Sequence, residues 1–230
     1  MWIHFIMGII CGVMGIIVFA LSYPLYLRNK DFTSLYWFSM WGVWLGILTL
    51  IHVIVGVMGH CPDTWIPFSH VQERVGSLIL AMWCVFPGQS KETKWLRFKK
   101  KFWIFLLFGV LFVFGVLFSS TTSLSAMKQG IINRPQEILP LCVACLVFGR
   151  LLNVTSALGK ILRISVLNAG FGVLLMMFSD KLYDWQFNMA VGFKVVSCFF
   201  MLYAIIYLLK TVSKKTNGGC KVWDLLKGNF

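Results

Sequence analysis

The chain has few charged residues: Asp, Glu, Lys and Arg make up 13% of its 230 residues, whereas 59% are apolar. Because soluble domains are about 45–50% apolar, this composition excludes an ordinary water-soluble domain. A helix that crosses about 30 Å of hydrocarbon needs about 20 residues, so the chain has room for seven crossings with short loops. The sequence therefore predicts an all-α, multi-pass integral membrane protein.

The patterns of common catalytic sites are also absent. The sequence contains no Gly-rich phosphate loop, no arrangement typical of a catalytic triad and no carboxylate pair suited to acid–base chemistry. No two histidines have HxxxH spacing, which excludes the usual helical zinc motif. These absences favour a function other than catalysis.

Cysteines are scarce outside the apolar stretches. Of the seven, five lie within apolar segments, one lies in the basic tail, and only Cys61 lies in a loop that we place outside the membrane. A disulfide framework is therefore not expected. The pair Cys142 and Cys145 shares one face of an apolar helix, which favours small-residue packing over redox chemistry.

What the chain does have is a series of apolar segments separated by polar connections. The seven segments are approximately 2–27, 34–58, 68–86, 102–118, 138–152, 162–178 and 187–209. Residues 1–210 are thus predicted to form one transmembrane domain, followed by a basic tail at 211–230. The fifth and sixth segments are short, and if both were re-entrant the number of crossings would fall to five with the same orientation.

The basic stretch 89–101, between the third and fourth segments, carries six Lys or Arg. Loops rich in these residues lie in the cytoplasm. This placement also puts the first loop, the fifth loop and the tail there, and these regions together hold 16 of the 21 basic and 3 of the 8 acidic residues. This distribution of basic and acidic residues predicts seven transmembrane helices with the N-terminus extracytoplasmic and the C-terminus cytoplasmic.

The formal net charge of +13 would favour nucleic-acid binding in a soluble protein. Here the excess positive charge lies on the predicted cytoplasmic face, where it can contact the anionic headgroups of the lipid bilayer. We therefore expect no nucleic-acid partner. A cytoplasmic protein partner is the alternative interpretation of the same basic regions.

Residues 65–86 and 185–206 align without a gap. The alignment pairs similar residues at matching positions: Trp65 with Trp185, Arg74 with Lys194, and Ser77 with Ser197. Some transporters consist of two parallel three-helix repeats joined by one further helix. The alignment predicts such a 3+1+3 arrangement, with chance similarity between apolar helices as the alternative.

Three ionisable residues are predicted inside the membrane: Glu73 and Arg74 in the third segment and Lys194 in the seventh, with Glu73 and Lys194 of opposite sign at similar depths. An ionised side chain in a membrane helix costs about 2.5 kcal/mol or more unless it faces a partner or water. We expect a Glu73–Lys194 ion pair that closes the outer half of the bundle. His52 lies about 9 Å inside the outer end of its segment, and Glu73, Lys194 and His52 are the candidate ligand-binding set. For Lys194, the alternative is an ammonium group that extends to the headgroups.

All four histidines fall in the first third of the chain, near the predicted outer surface. Neutral imidazole is a common ligand of metals and haem. His4 and His70 open the first and third segments at similar depths and are a candidate pair for haem b or a metal, with His52 as a deeper candidate. The alternative is that they are interfacial residues whose rings contact water.

These observations leave three functions open. The first is a polytopic membrane protein that binds a small ligand from the extracytoplasmic side, as a transporter or a receptor-like membrane subunit. The second is a membrane electron-transfer subunit that binds haem b. The third is a structural subunit of a larger membrane complex, with other membrane subunits as partners.

Overall fold

A computed structural model describes five stretches of the chain: 2–28, 33–57, 65–85, 134–179 and 184–215. Every regular element in them is helical. The six α-helices are α1 (Trp2–Arg28), α2 (Thr33–Val57), α3 (Trp65–Val85), α4 (Ile138–Leu152), α5 (Ala157–Phe178) and α6 (Trp185–Lys215), and the 3-10 turn Pro135–Glu137 leads into α4. The predicted fourth segment, 102–118, lies outside the described residues.

The helix bounds agree with the sequence prediction for α4 and differ elsewhere. The largest difference at a helix start is in α5, which begins at Ala157 rather than at 162. Ser156 is its N-cap, because the Ser156 side chain accepts a hydrogen bond of 3.1 Å from the backbone N–H of Gly159. α3 begins three residues earlier than predicted, and α6 extends to Lys215, into the stretch assigned to the tail.

Within the described stretches, four helices are long and apolar enough to cross a membrane. They are Phe5–Arg28, Thr33–Ile54, Ala157–Phe178 and Trp185–Thr211. α4 is apolar but has only 15 residues, which correspond to about 22 Å of helix, less than the hydrocarbon thickness. The described residues are therefore those of an all-α membrane protein with four evident spanning helices.

The helices contact one another in a closed ring that follows the chain order. α1 packs against α2 and α6, and between these neighbours α2 contacts α3, α3 contacts α4, α4 contacts α5, and α5 contacts α6. α3 also reaches across to α5. All six helices contribute to one buried apolar core, in which Phe38, Ala204 and Ile205 are completely buried.

Consecutive helices within each half of the ring are antiparallel. In the first half, Ser22 near the end of α1 lies 2.9 Å from Ser39 near the start of α2. In the second half, Ser165 of α5 hydrogen-bonds to Ser197 of α6, whereas Gly172, later in α5, lies against Ala190, earlier in α6. The start of α6 at Phe187 packs near the start of α1, so these two helices begin at the same end of the bundle.

We call the end where α3, α4 and α6 begin, and where α2 and α5 end, the polar end of the bundle. It contains the three acidic side chains of the described residues, Glu73, Glu137 and Asp184. The end of α3 lies at the opposite end of the bundle from the start of α4. The chain therefore leaves α3 at one end of the bundle and enters α4 at the other.

The seam between α1 and α2 is built from glycines. A Cβ atom on Gly42 would lie 2.5 Å from the carbonyl oxygen of Gly15, and one on Gly15 would lie 2.7 Å from the backbone nitrogen of Gly46. Since lipid removes most of the hydrophobic drive for helix association, close van der Waals packing through small residues takes its place. The absence of side chains at these positions allows the two backbones to touch.

We expect Gly42→Ala to lower the free energy of unfolding by about 1–3 kcal/mol, because the added methyl group would force the two backbones apart. Thermal unfolding of the detergent-solubilised protein measures the change. Gly192→Ala in α6 is the matched control, since a Cβ there meets no atom within 4 Å. Alanine is favoured over glycine in helices by about 0.5–1 kcal/mol, so the control should be neutral or stabilising. Equal losses of unfolding free energy in both variants would contradict a stabilising role for the close backbone contact at Gly42.

Candidate ligand site at the polar end

A buried ion pair joins α3 to α6. Lys194 Nζ lies 2.6 Å from Glu73 Oε1 and 2.9 Å from Glu73 Oε2. The Glu73 side chain is 3% exposed and the Lys194 side chain 20% exposed. Glu73 is the ninth residue of α3 and Lys194 the tenth of α6, so both lie at nearly the same depth. The ion pair predicted from the sequence is confirmed.

A second ion pair joins α3 to the start of α4. Arg74 donates from a terminal nitrogen to Glu137 Oε2, and the Glu137 side chain is almost completely buried. Because consecutive helical residues point about 100° apart, Glu73 faces α6 while Arg74 faces the turn before α4. The sequence analysis missed this pair, since it placed Glu137 outside the helices and named no partner for Arg74.

Trp44 fixes the position of α2 against this part of α3. Its indole N–H donates to the backbone carbonyl of Glu73 over 3.3 Å. Gly76 makes the approach possible, because a Cβ on that residue would overlap the indole ring. α3 is thus held by α2 from one side and by two ion pairs from the others.

Arg134 ties the turn before α4 to the α5–α6 connection. Its Nε donates to the carbonyl of Ser179 over 3.2 Å, and its guanidinium lies 5.4 Å from the ring centroid of Phe187. Asp184 caps α6 by accepting from the Phe187 backbone N–H over 2.7 Å. The described part of the polar end therefore contains three acidic and three basic side chains, Glu73, Glu137, Asp184, Arg74, Arg134 and Lys194.

A cavity lies next to the Glu73–Lys194 pair, between α2, α3, α5 and α6. The atom-free space there is about 560 Å³, a volume that includes open space outside the mouth, and the enclosed part has room for a few water molecules. Most of its wall is apolar. Six polar or charged side chains also line it: Glu73, Arg74, Ser77, Ser165, Lys194 and Ser197.

The three serines occupy the cavity wall about one helical turn below the charges. Ser165 Oγ donates to the Ser197 carbonyl and also lies 2.9 Å from Ser197 Oγ. Ser77 Oγ is buried and has no hydrogen-bond partner among the described residues. The sequence analysis did not name these serines as site residues. A signal was present, because Ser77 and Ser197 each follow a cation by three residues in the aligned stretches.

The three predicted ligand-binding residues come together at the polar end. His52 is buried, with 7% of its surface exposed, and lies five residues before the end of α2, which is at the polar end. Glu73 and Lys194 line the cavity, whereas His52 is not among the residues that line it. Their assignment to ligand binding stays a prediction.

His4 and His70 lie on the backbones of α1 and α3, and their side chains are outside the described residues. The haem or metal site predicted for them and His52 therefore stays a prediction. The sequence analysis also missed that His70 precedes Glu73 at HxxE spacing. Among the described side chains, no three of the types His, Cys, Asp or Glu form a group that could hold a metal ion.

No protein-family model, curated protein or solved structure matches the chain.

We expect Lys194→Met to reduce the free energy of unfolding by about 3 kcal/mol, because Glu73 would stay buried without a counter-charge. Combining it with Glu73→Leu should restore most of the loss, since neither charge then remains. Thermal unfolding in one detergent compares the variants.

Lys210→Met is the matched control, because Lys210 is exposed on the same helix; its effect should stay within about 0.5 kcal/mol. A double variant as unstable as Lys194→Met alone would contradict charge compensation as the main role of the pair.

Proposed function

We propose that the chain is a polytopic membrane protein that binds a small ligand in the cavity between α2, α3, α5 and α6, as a transporter or a receptor-like membrane subunit. The observation that carries this proposal is the cavity beside the buried Glu73–Lys194 pair. Ligand sites are typically concave and mostly apolar, with a few polar groups that orient the ligand. Ionisable residues inside membrane helices are costly and are commonly functional.

The ligand enters from the extracytoplasmic side, which in this proposal is the polar end. The distribution of charge supports this orientation. At the opposite end, the charged residues whose side chains the structure describes are all basic: Arg28, Arg150, Lys160, Arg163 and Lys210. Cytoplasmic ends of membrane helices carry such an excess of Lys and Arg.

Seven crossings are part of the same proposal, with 102–118 as the fourth. The positions of the end of α3 and of the start of α4 support this number. Because they lie at opposite ends of the bundle, the chain between them has to cross the membrane an odd number of times. The ring of six described helices in chain order also agrees with two three-helix units, α1–α3 and α4–α6. The 3+1+3 arrangement follows from this grouping.

Both ion pairs of the polar end connect these two units. Glu73 binds Lys194 in the second unit, and Arg74 binds Glu137 at its start. In a transporter, opening of the outer side requires that such contacts between units separate. In a receptor-like subunit, a ligand that changes the contact between Glu73 and Lys194 alters how the units are held together.

Access to the cavity can be tested with Ala169→Cys, since Ala169 is a partly exposed residue of the cavity wall. We expect a small, membrane-impermeant cationic thiol reagent to modify the introduced thiol when it is added from the extracytoplasmic side of sealed cells. Mass spectrometry of the labelled chain locates the adduct. The native residue Cys61 should react from the same side and Cys220 only from the other.

Ala204→Cys is the matched control, because Ala204 is completely buried in the core, and it should not react. Reaction of the Ala169→Cys thiol only from the cytoplasmic side would contradict the proposed direction of entry. No reaction from either side, with Cys61 labelled, would count against a ligand cavity.

A further inference from the structure

We propose that the cavity takes a small zwitterion with an apolar body, whose cationic group binds Glu73 and whose anionic group binds Lys194. This inference rests on the proposed function and adds the chemical class of the ligand. It depends on the contact between Glu73 and Lys194, on the charge balance of the cavity wall and on the side chains below the charges.

The contact between Glu73 and Lys194 can be replaced by contacts of both residues with a ligand that carries one positive and one negative charge. Both carboxylate oxygens of Glu73 approach the ammonium group, at 2.6 and 2.9 Å. The two residues come from different helices, α3 and α6, that form separate walls of the cavity. A small separation of these helices therefore presents a carboxylate on one wall and an ammonium group on the other.

The charge of the wall is balanced, which determines the net charge of the ligand. Arg74 also lines the cavity, but Glu137 neutralises it. A ligand with one charge would bind Glu73 or Lys194 and leave the other buried without a counter-charge, which is strongly unfavourable in a low-dielectric site. A zwitterion provides both counter-charges at once.

The rest of the wall suits an apolar body next to a hydrogen-bonding headgroup. Ser77 follows Glu73 by four residues and so lies on the same face of α3. Its Oγ is buried and has no hydrogen-bond partner among the described residues, so it can accept from a cationic group bound at Glu73. Leu45, Leu78 and Met201 also line the cavity and can contact an apolar side chain.

Two sources supply this chemistry: a free amino acid with an apolar side chain and the headgroup of a zwitterionic lipid such as phosphatidylethanolamine. Both carry one ammonium group and one anionic group on an apolar body. The experiment therefore has one arm for solutes and one for lipids.

The solute arm uses the unmodified protein in detergent, with leucine, methionine and phenylalanine as probes. For leucine, 4-methylpentanoate lacks the ammonium group and 3-methylbutylamine lacks the carboxylate. We expect at least one amino acid to bind in isothermal titration calorimetry and its two singly charged analogues to bind at least about tenfold more weakly, because each leaves one buried charge unpaired. Glu73→Gln should weaken binding of the amino acid at least as much, and Lys210→Met should leave it unchanged.

The lipid arm compares thermal unfolding in nanodiscs of phosphatidylethanolamine and of phosphatidylglycerol. If the zwitterion is a headgroup, the ethanolamine lipid stabilises the unmodified protein more than the glycerol lipid does. Glu73→Gln should abolish that difference.

Equal binding of an amino acid and of its carboxylate or amine analogue would overturn the zwitterion class. The absence of any binding in both arms would overturn it too, while labelling of Ala169→Cys from outside would leave the proposed function standing. Failure of that labelling would instead remove the proposed function itself.

Discussion

The contact between the Glu73 carboxylate and the Lys194 ammonium group constrains most of the described structure. Two opposite charges in the interior of a lipid-embedded bundle are tolerated when each neutralises the other. The contact at 2.6 Å therefore fixes the height of α3 relative to α6. Because α2 is attached to α3 through Trp44, and α5 to α6 through Ser165 and Ser197, the same constraint sets the positions of the four helices around the cavity.

Of the two remaining helices, α4 is joined to α3 at its start by the Arg74–Glu137 pair, whereas α1 is placed by packing rather than by charge. α1 reaches α2 through backbone contacts at Gly15 and Gly42, and paired hydroxyl groups at Ser22 and Ser39 add a hydrogen bond further along the same seam. Such contacts are short-ranged and depend on shape, which suits a medium where lipid tails are as apolar as the side chains. A cavity can persist beside the ion pair because other contacts also hold the surrounding helices together.

The Glu73–Lys194 pair could be predicted because the hydrophobic segments indicate the depth of each residue. Two opposite charges at the same depth in a membrane are strongly stabilised when they form an ion pair. The Arg74–Glu137 pair could not be predicted in this way. Glu137 precedes its helix, and its burial depends on how the turn before α4 packs, which hydropathy does not report. The start of α5 was misplaced because the capping role of Ser156 is a local hydrogen-bond signal rather than an apolar one. The serines of the cavity were missed since hydroxyl groups are common in membrane helices and identify a site only once their neighbours are known.

The acid Glu73 and the base Arg74 are adjacent in the sequence, and together they limit how α3 can be rotated about its axis. Each faces a partner of opposite sign, and the two directions are about 100° apart around the helix axis. Turning α3 by that angle one way would set Arg74 against Lys194, and turning it the other way would set Glu73 against Glu137. Either rotation places two like charges next to each other, which is unfavourable. The Glu73–Arg74 dipeptide therefore specifies the rotation of α3 about its own axis by disfavouring both alternatives.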